Sequence, residues 1–179
     1  MSSFSIEVLD SSVRDSLNAL ASQTSNMKPI LQQIGEGIME RTKLRFSTGL
    51  GPDGRRWQAN ARSTIEAFIA RRHGFGKRGI NKKGQALAMS KKPLIGESRD
   101  LSRQFYLYSD QLGVTVGNSM IYSAIHQFGG QAGRGKKTNI PARPFLPIMD
   151  TGRLYDGELA LIIEQLDAFL AARLNLHSP

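Results

Sequence analysis

YSAIHQFGGQAGRGKKTNIPARPFL runs from Tyr122 to Leu146 and changes its backbone preference along the way. Tyr122, Ile125, Gln127 and Phe128 fit one short amphipathic helix. Gly129-Gly130 ends it, because glycine accepts the left-handed conformation of a helix C-cap. Gln131 to Asn139 reads as a flexible basic loop. Ile140-Pro141-Ala142-Arg143-Pro144-Phe145-Leu146 then reads as a stiff extended rod, since two prolines fix the backbone and exclude helix. Ala124 and Ile125 are expected against a core. His126 has no nucleophile or carboxylate at readable spacing, so packing or capping explains it better than general-base catalysis.

Outward from this stretch, Phe105 to Tyr108, a Ser109-Asp110-Gln111 turn and Leu112 to Gly117 form the clearest hairpin in the chain, with Leu101 expected to begin its first strand. A final helix is expected from about Leu154 to Asn175, with a broad apolar face of Leu159, Ile162, Ile163, Leu166, Phe169, Leu170 and Leu174. Toward the N-terminus, Pro29 suits the first turn of a helix reaching about Phe46, with Ile30, Leu31, Ile34, Ile38 and Leu44 on one face. Gly35 and Gly37 inside it cost about 1 kcal/mol each relative to alanine, which points to close approach of another element. Pro52-Asp53-Gly54 centres a turn cluster. Trp57, the single tryptophan, reads first as an anchor. Ser63 is expected to cap a short helix to about Arg72 that buries Ile65, Phe68 and Ile69. Phe4, Ile6 and Val8 alternate as a short strand, and a helix bearing Val13, Leu17, Leu20 and Ala21 follows.

The sum is an α+β fold: a small, mostly antiparallel sheet packed against several helices, with long N-terminal and C-terminal helices. A length of 179 residues fits one domain over 1–179 with a real core. Inside it, HGFGKRGINKKGQALAMSKKP (73–93) holds five lysines and four glycines with almost no apolar periodicity. It reads as a mobile, basic Gly/Lys-rich loop insertion.

The formal charge of +9 is concentrated there. Residues 1–40 carry two basic and five acidic side chains, residues 41–103 sixteen and four, and residues 104–179 six of each. Such a block suits a polyanionic or acidic partner. Lys77, Arg78, Lys82, Lys83, Lys91 and Lys92 are the residues expected to meet that partner, protein or DNA. Only Phe75 is interleaved with them, too little for a stacking platform.

Other chemistry finds less support. There is no cysteine, which excludes disulfides and thiolate metal sites. The histidines at 73, 126 and 177 are scattered, which argues against a histidine zinc site. Gly74-Phe75-Gly76-Lys77-Arg78-Gly79 fits a dinucleotide fingerprint by letter, but a helix precedes it where a strand is required. Asp53, Glu97, Asp100 and Asp110 lie in expected turns and lead-ins, not in pairs at strand ends. No cofactor and no enzymatic activity are expected. No apolar run reaches the length of a membrane span and MSSFSIEVLD lacks signal-peptide form, so the expected setting is the cytosol, away from membranes.

Tyr122-x-x-Ile-His-Gln-Phe-Gly-Gly followed by Ile140-Pro-Ala-Arg-Pro-Phe-Leu146 resembles the signature of the phage virion morphogenesis family, the tail-completion proteins of Mu-like and related tailed phages. The resemblance extends to Gly51-Pro-Asp-Gly-Arg-Arg-Trp57 and Gly113-Val-Thr-Val-Gly117 and covers roughly residues 30–165. The 73–93 segment departs from the pattern, being longer and more basic. The resemblance implies a structural virion protein of the head–tail junction, whether tail completion, terminator or neck. It also implies a hexameric ring of copies of itself, touching tail-tube, connector or portal-side neck proteins and, transiently, phage DNA. On that reading the ring contacts fall to Tyr122, His126, Phe128, Arg143, Phe145 and Trp57. A plain DNA-binding protein using residues 77–92 is the alternative.

Overall fold

The structure, a computed structural model, describes residues 26–175. The expected strand at Phe4–Val8 and the helix bearing Val13 to Ala21 lie outside the described residues. In chain order the elements are α1 (Lys28–Thr48), α2 (Arg62–Arg71), β1 (Phe75–Gly76), β2 (Gly79–Ile80), α3 (Lys82–Ser90), α4 (Asp100–Arg103), β3 (Phe105–Ser109) and β4 (Val114–Asn118). They continue with α5 (Ser123–Phe128), β5 (Gly130–Ala132), a 3-10 turn (Arg134–Lys136), β6 (Thr138–Ile140) and α6 (Asp156–Asn175). The fold is α+β, and its antiparallel pairing takes the form of two-stranded ribbons: β1 with β2, β3 with β4, and β5 with β6.

These elements fall into two compact units. Of the described residues, the first comprises 26–40, 106–117 and 147–175. Its core is the face of α1 formed by Ile30, Ile34 and Ile38, spaced four apart so that they stack on one side of the helix. Val114 and Val116 of β4 and Ile162, Leu166 and Phe169 of α6 pack against it. Gly35 allows the hairpin to come close: a Cβ there would lie 2.5 Å from Val114 Cγ2 and 2.7 Å from Leu107 Cδ1. The expectation that a glycine in this helix marks close approach holds at that position. On β3, Leu107 and Ser109 turn inward while Tyr106 and Tyr108 stay exposed, the alternation a half-buried strand requires. Asp110 ties the hairpin turn by accepting from the N–H groups of Leu112 and Gly113 at 2.8 and 3.0 Å.

The apolar face of α6 is narrower than the sequence suggests. Ile162, Leu166 and Phe169 pack inward, whereas Leu159 and Ile163 are 39% and 48% exposed. A run rich in leucine and isoleucine places apolar residues all round a helix, and periodicity alone then overstates the buried stripe.

The second unit comprises residues 41–105 and 118–146. Phe46, Trp57, Leu101 and Phe145 form its core, with Phe105, Met120 and Leu146 against them. Phe46 is the hub, 5.5 Å from the Trp57 ring and 5.3 Å from the Phe145 ring in edge-on and tilted geometry. Such pairs add about 0.5–1.5 kcal/mol each beyond area burial.

Three local expectations are corrected here. Ala61, not Ser63, is the N-cap of α2, and it makes no side-chain cap bond; of its apolar residues only Ile69 is fully buried, Ile65 and Phe68 being half-buried. Leu101 lies in α4 and not in a strand; one buried leucine ahead of an alternating run carries no period of its own. The 73–93 segment is not a structureless loop but the β1–β2 hairpin followed by α3. Asn81 starts α3 by accepting from the Gly84 N–H at 2.8 Å, an N-cap worth about 1 kcal/mol. Gly74 and Gly84 pack against each other, since a Cβ on Gly84 would collide with the Gly74 carbonyl oxygen.

Candidate functional site

The stretch 122–146 lies within the second unit, and there its residues do two different jobs. One set closes the fold. Gln127, buried on α5, accepts from the N–H groups of Phe145 and Leu146 at 2.9 Å each and donates to the Leu146 carbonyl at 3.1 Å. Its amide thus imitates a strand edge for a rod that has no ladder partner among the described residues. Trp57 Nε1 donates to the Pro144 carbonyl at 2.9 Å, and Arg45 donates to the Phe145 carbonyl at 2.8 Å. Arg143 sends its guanidinium back to the carbonyls of Gln58 and Ala59 at 2.8 and 2.9 Å. Gly129 ends α5 at φ 75°, in the left-handed region that favours glycine. The basic stretch behind it is a tight β5–β6 ribbon and not the flexible loop expected; Gln131 pairs with Asn139.

Three of the six expected contact residues therefore belong to the interior. Phe145 is 0% exposed, Trp57 5% and Arg143 is buried. Aromatic rings and a guanidinium that meet this many internal partners are not free to meet another protein, so their place in the suspected contact region is corrected to a supporting one. Tyr122 and Phe128 do reach the surface, at 37% and 47% exposure, beside a fully exposed Ile121. His126 sits between the two roles. Its ring is edge-on to Tyr122 at 5.9 Å, and its Nδ1 is buried with no hydrogen-bond partner. Burial, and secondarily the Arg143 charge, push its pKa below the ordinary histidine value. Gln127 and Arg45 are the polar residues that sequence reasoning missed. The signal for Gln127 was an uncharged amide between His126 and Phe128, just ahead of the Gly129-Gly130 stop.

The basic residues also divide. Lys77 and Arg78 stand at the tip of the β1–β2 hairpin and Lys82 and Lys83 in the first turn of α3, all exposed. Lys92 is tied to the Ser47 carbonyl at 2.7 Å. Lys91 is half-buried, donates to the Ile95 carbonyl and lies 5.1 Å from the Phe68 ring centre, which Arg72 also covers at 4.6 Å. Burial and then Arg72 lower its pKa. Lys91 and Lys92 thus line a cavity of about 550 Å³ together with Lys43, Arg72, Arg99 and Arg103. Phe46, Phe68 and Ile95 give it apolar walls, and Glu97 is its one acidic side chain. Arg99 holds a left-handed φ of 60° at this cavity, a conformation that costs a non-glycine residue of order 1 kcal/mol. Among the described residues, no group of three or more His, Asp or Glu side chains is placed to hold a metal, and no helix is long and apolar enough to cross a membrane.

Residues 8–159 match the sequence profile of the phage virion morphogenesis family. The chain is also similar to Mu-like prophage FluMu G protein 2 of Haemophilus influenzae, 71% identical over 31 residues. That match covers 17% of this chain and 22% of the relative, so the chain spans about a fifth of the length of the relative it matches. No solved structure matches. A match this long, taken with the helix-and-rod clasp its signature residues build, establishes that the chain belongs to the phage virion morphogenesis family.

Proposed function

We propose that the chain is a structural subunit of the head–tail junction of a tailed phage, acting in tail completion as a terminator or neck component. The observation that carries this reading is the family match over residues 8–159. The surface features are those of a docking protein: the exposed Tyr122 and Phe128, and a cationic face around residues 77–92. Copies assemble into a ring that seats against tail-tube, connector or portal-side neck proteins, through shape and charge complementarity and without chemistry. Its place is the virion, and the host cytoplasm before assembly.

Electron microscopy of lysates from a phage with this gene disrupted tests it. Filled heads beside separate, finished tails are expected, and tails of irregular length would favour the terminator role. Intact particles would overturn the proposal. A DNA-contacting role is favoured by one observation, the four exposed cations Lys77, Arg78, Lys82 and Lys83 on one hairpin and the helix turn after it. Retention on duplex DNA that falls by orders of magnitude between low and moderate salt would support it.

A further inference from the structure

The two units are opposite in charge. Of the described residues, 26–40, 106–117 and 147–175 carry three basic and eight acidic side chains, a net −5. Residues 41–105 and 118–146 carry twenty basic and four acidic, a net +16. Within the second unit the cations converge on the 550 Å³ cavity, where six of them face the single Glu97. Arg72 and Lys91 share one aromatic ring. Like charges held this close repel one another, and a bound anion would relieve that repulsion. The Phe46, Phe68 and Ile95 walls favour an occupant that is part apolar, which a bare phosphate backbone is not.

The first unit displays a surface of that composition. Asp156, Leu159, Ile163 and Asp167 lie on α6 at i, i+3, i+7 and i+11, one stripe of the helix. All four are exposed, as is the neighbouring Glu164. This stripe borders the face of Ile162, Leu166 and Phe169, which packs on the core, and no lysine or arginine occurs between Asp156 and Ala172.

We propose that the cationic cavity of the second unit is the docking site for the acidic, apolar stripe of α6 from a second copy of the chain. The observation behind this is the pairing of complementary charge and complementary apolar surface on the two units. Leu159 and Ile163 of the incoming helix meet the aromatic walls, and Asp156, Glu164 and Asp167 meet Lys43, Arg72 and Arg103. The contact joins two different surfaces, so each copy offers one of each and the association propagates head to tail, into a ring when the rotation closes. This deepens the self-assembly part of the proposed function and rests on it.

The test is sedimentation of the purified full-length chain with two charge-reversed variants, Lys43→Glu with Arg103→Glu, and Glu164→Lys with Asp167→Lys. All four positions are exposed, and circular dichroism checks that each variant folds. The wild type should associate at low ionic strength and weaken about tenfold or more between ~0.05 and ~0.5 M salt, where the screening length contracts. Each variant alone should lose association by about tenfold or more, because the reversals cut the cavity's net charge from +5 to +1 in one variant and turn the stripe from −3 to +1 in the other. An equimolar mixture of the two should regain pairwise association, since the unchanged α6 stripe of the cavity variant matches the unchanged cavity of the helix variant.

A wild type that stays monomeric at low salt overturns the proposal, as does association that the reversals leave unchanged or that mixing does not restore. If the cavity variant instead loses duplex-DNA retention with self-association intact, the cavity is a nucleic-acid site and the proposal falls. Either failure, alongside filled heads and unattached tails in the gene-disrupted phage, would remove this contact and leave the proposed function standing.

Discussion

Gln127 shows how much one side chain settles. Among the described residues the rod 141–146 has no strand beside it, and an extended segment in a core leaves amides that must be paired. Gln127 pairs two of them and one carbonyl. Gln127→Ala leaves the Phe145 and Leu146 N–H groups without it, and a loss of roughly 2–4 kcal/mol is expected, read as a lower urea midpoint. Gln127→Glu, which keeps the acceptor, should cost less. His126 gives a pH dependence. In the unfolded chain it titrates near 6.5, and in the fold it titrates lower, first through burial and then through Arg143. The unfolded chain therefore holds more protons between those two values, and stability is full above 6.5 and falls as pH drops from there through the lowered value. Melting temperature against pH should show that fall, and His126→Gln should flatten it.

At the scale of elements, legibility followed repetition. The α1 face of Ile30, Ile34 and Ile38 repeats a helical spacing, and the β3–β4 hairpin repeats an alternation around an Asp110 turn, so both were readable. The β1–β2 hairpin has two residues per strand, too few to show a period, and α3 opens Lys82-Lys83-Gly84, which resembles a solvated loop. What orders that segment is contact between elements, the touching backbones of Gly74 and Gly84, which no local pattern encodes. Gly84→Ala should accordingly cost about 1–3 kcal/mol in chemical denaturation, because the methyl meets backbone that cannot rotate aside. Gly96→Ala is the control, with nothing within 4 Å of the added carbon, and it should be neutral or stabilising by up to about 1 kcal/mol. The candidate site was legible in part for the same reason. The motif pointed to the right stretch, but the division into clasp and surface depends on partners far along the chain, such as Pro144 for Trp57.

At the scale of the whole molecule, the family signature divides between interior residues and residues at the surface. Trp57, Arg143 and Phe145 preserve the second unit, so their loss acts through folding; Phe145→Ala empties a fully buried site. The exposed pair Tyr122 and Phe128 is available to act through docking. Tyr122→Ser with Phe128→Ser should change stability by about 1 kcal/mol or less and still lower the yield of joined particles in a complementation assay. Normal yield from that variant would remove the aromatic pair from the contact surface. One feature of the second unit also has a practical corollary. Its core holds the chain's sole indole, wedged edge-on against Phe46. Intrinsic fluorescence is thus a reporter of that unit by itself, whereas far-ultraviolet ellipticity sums the helices of both. Recording the two signals in one melt would separate the loss of the clasp from the loss of α6.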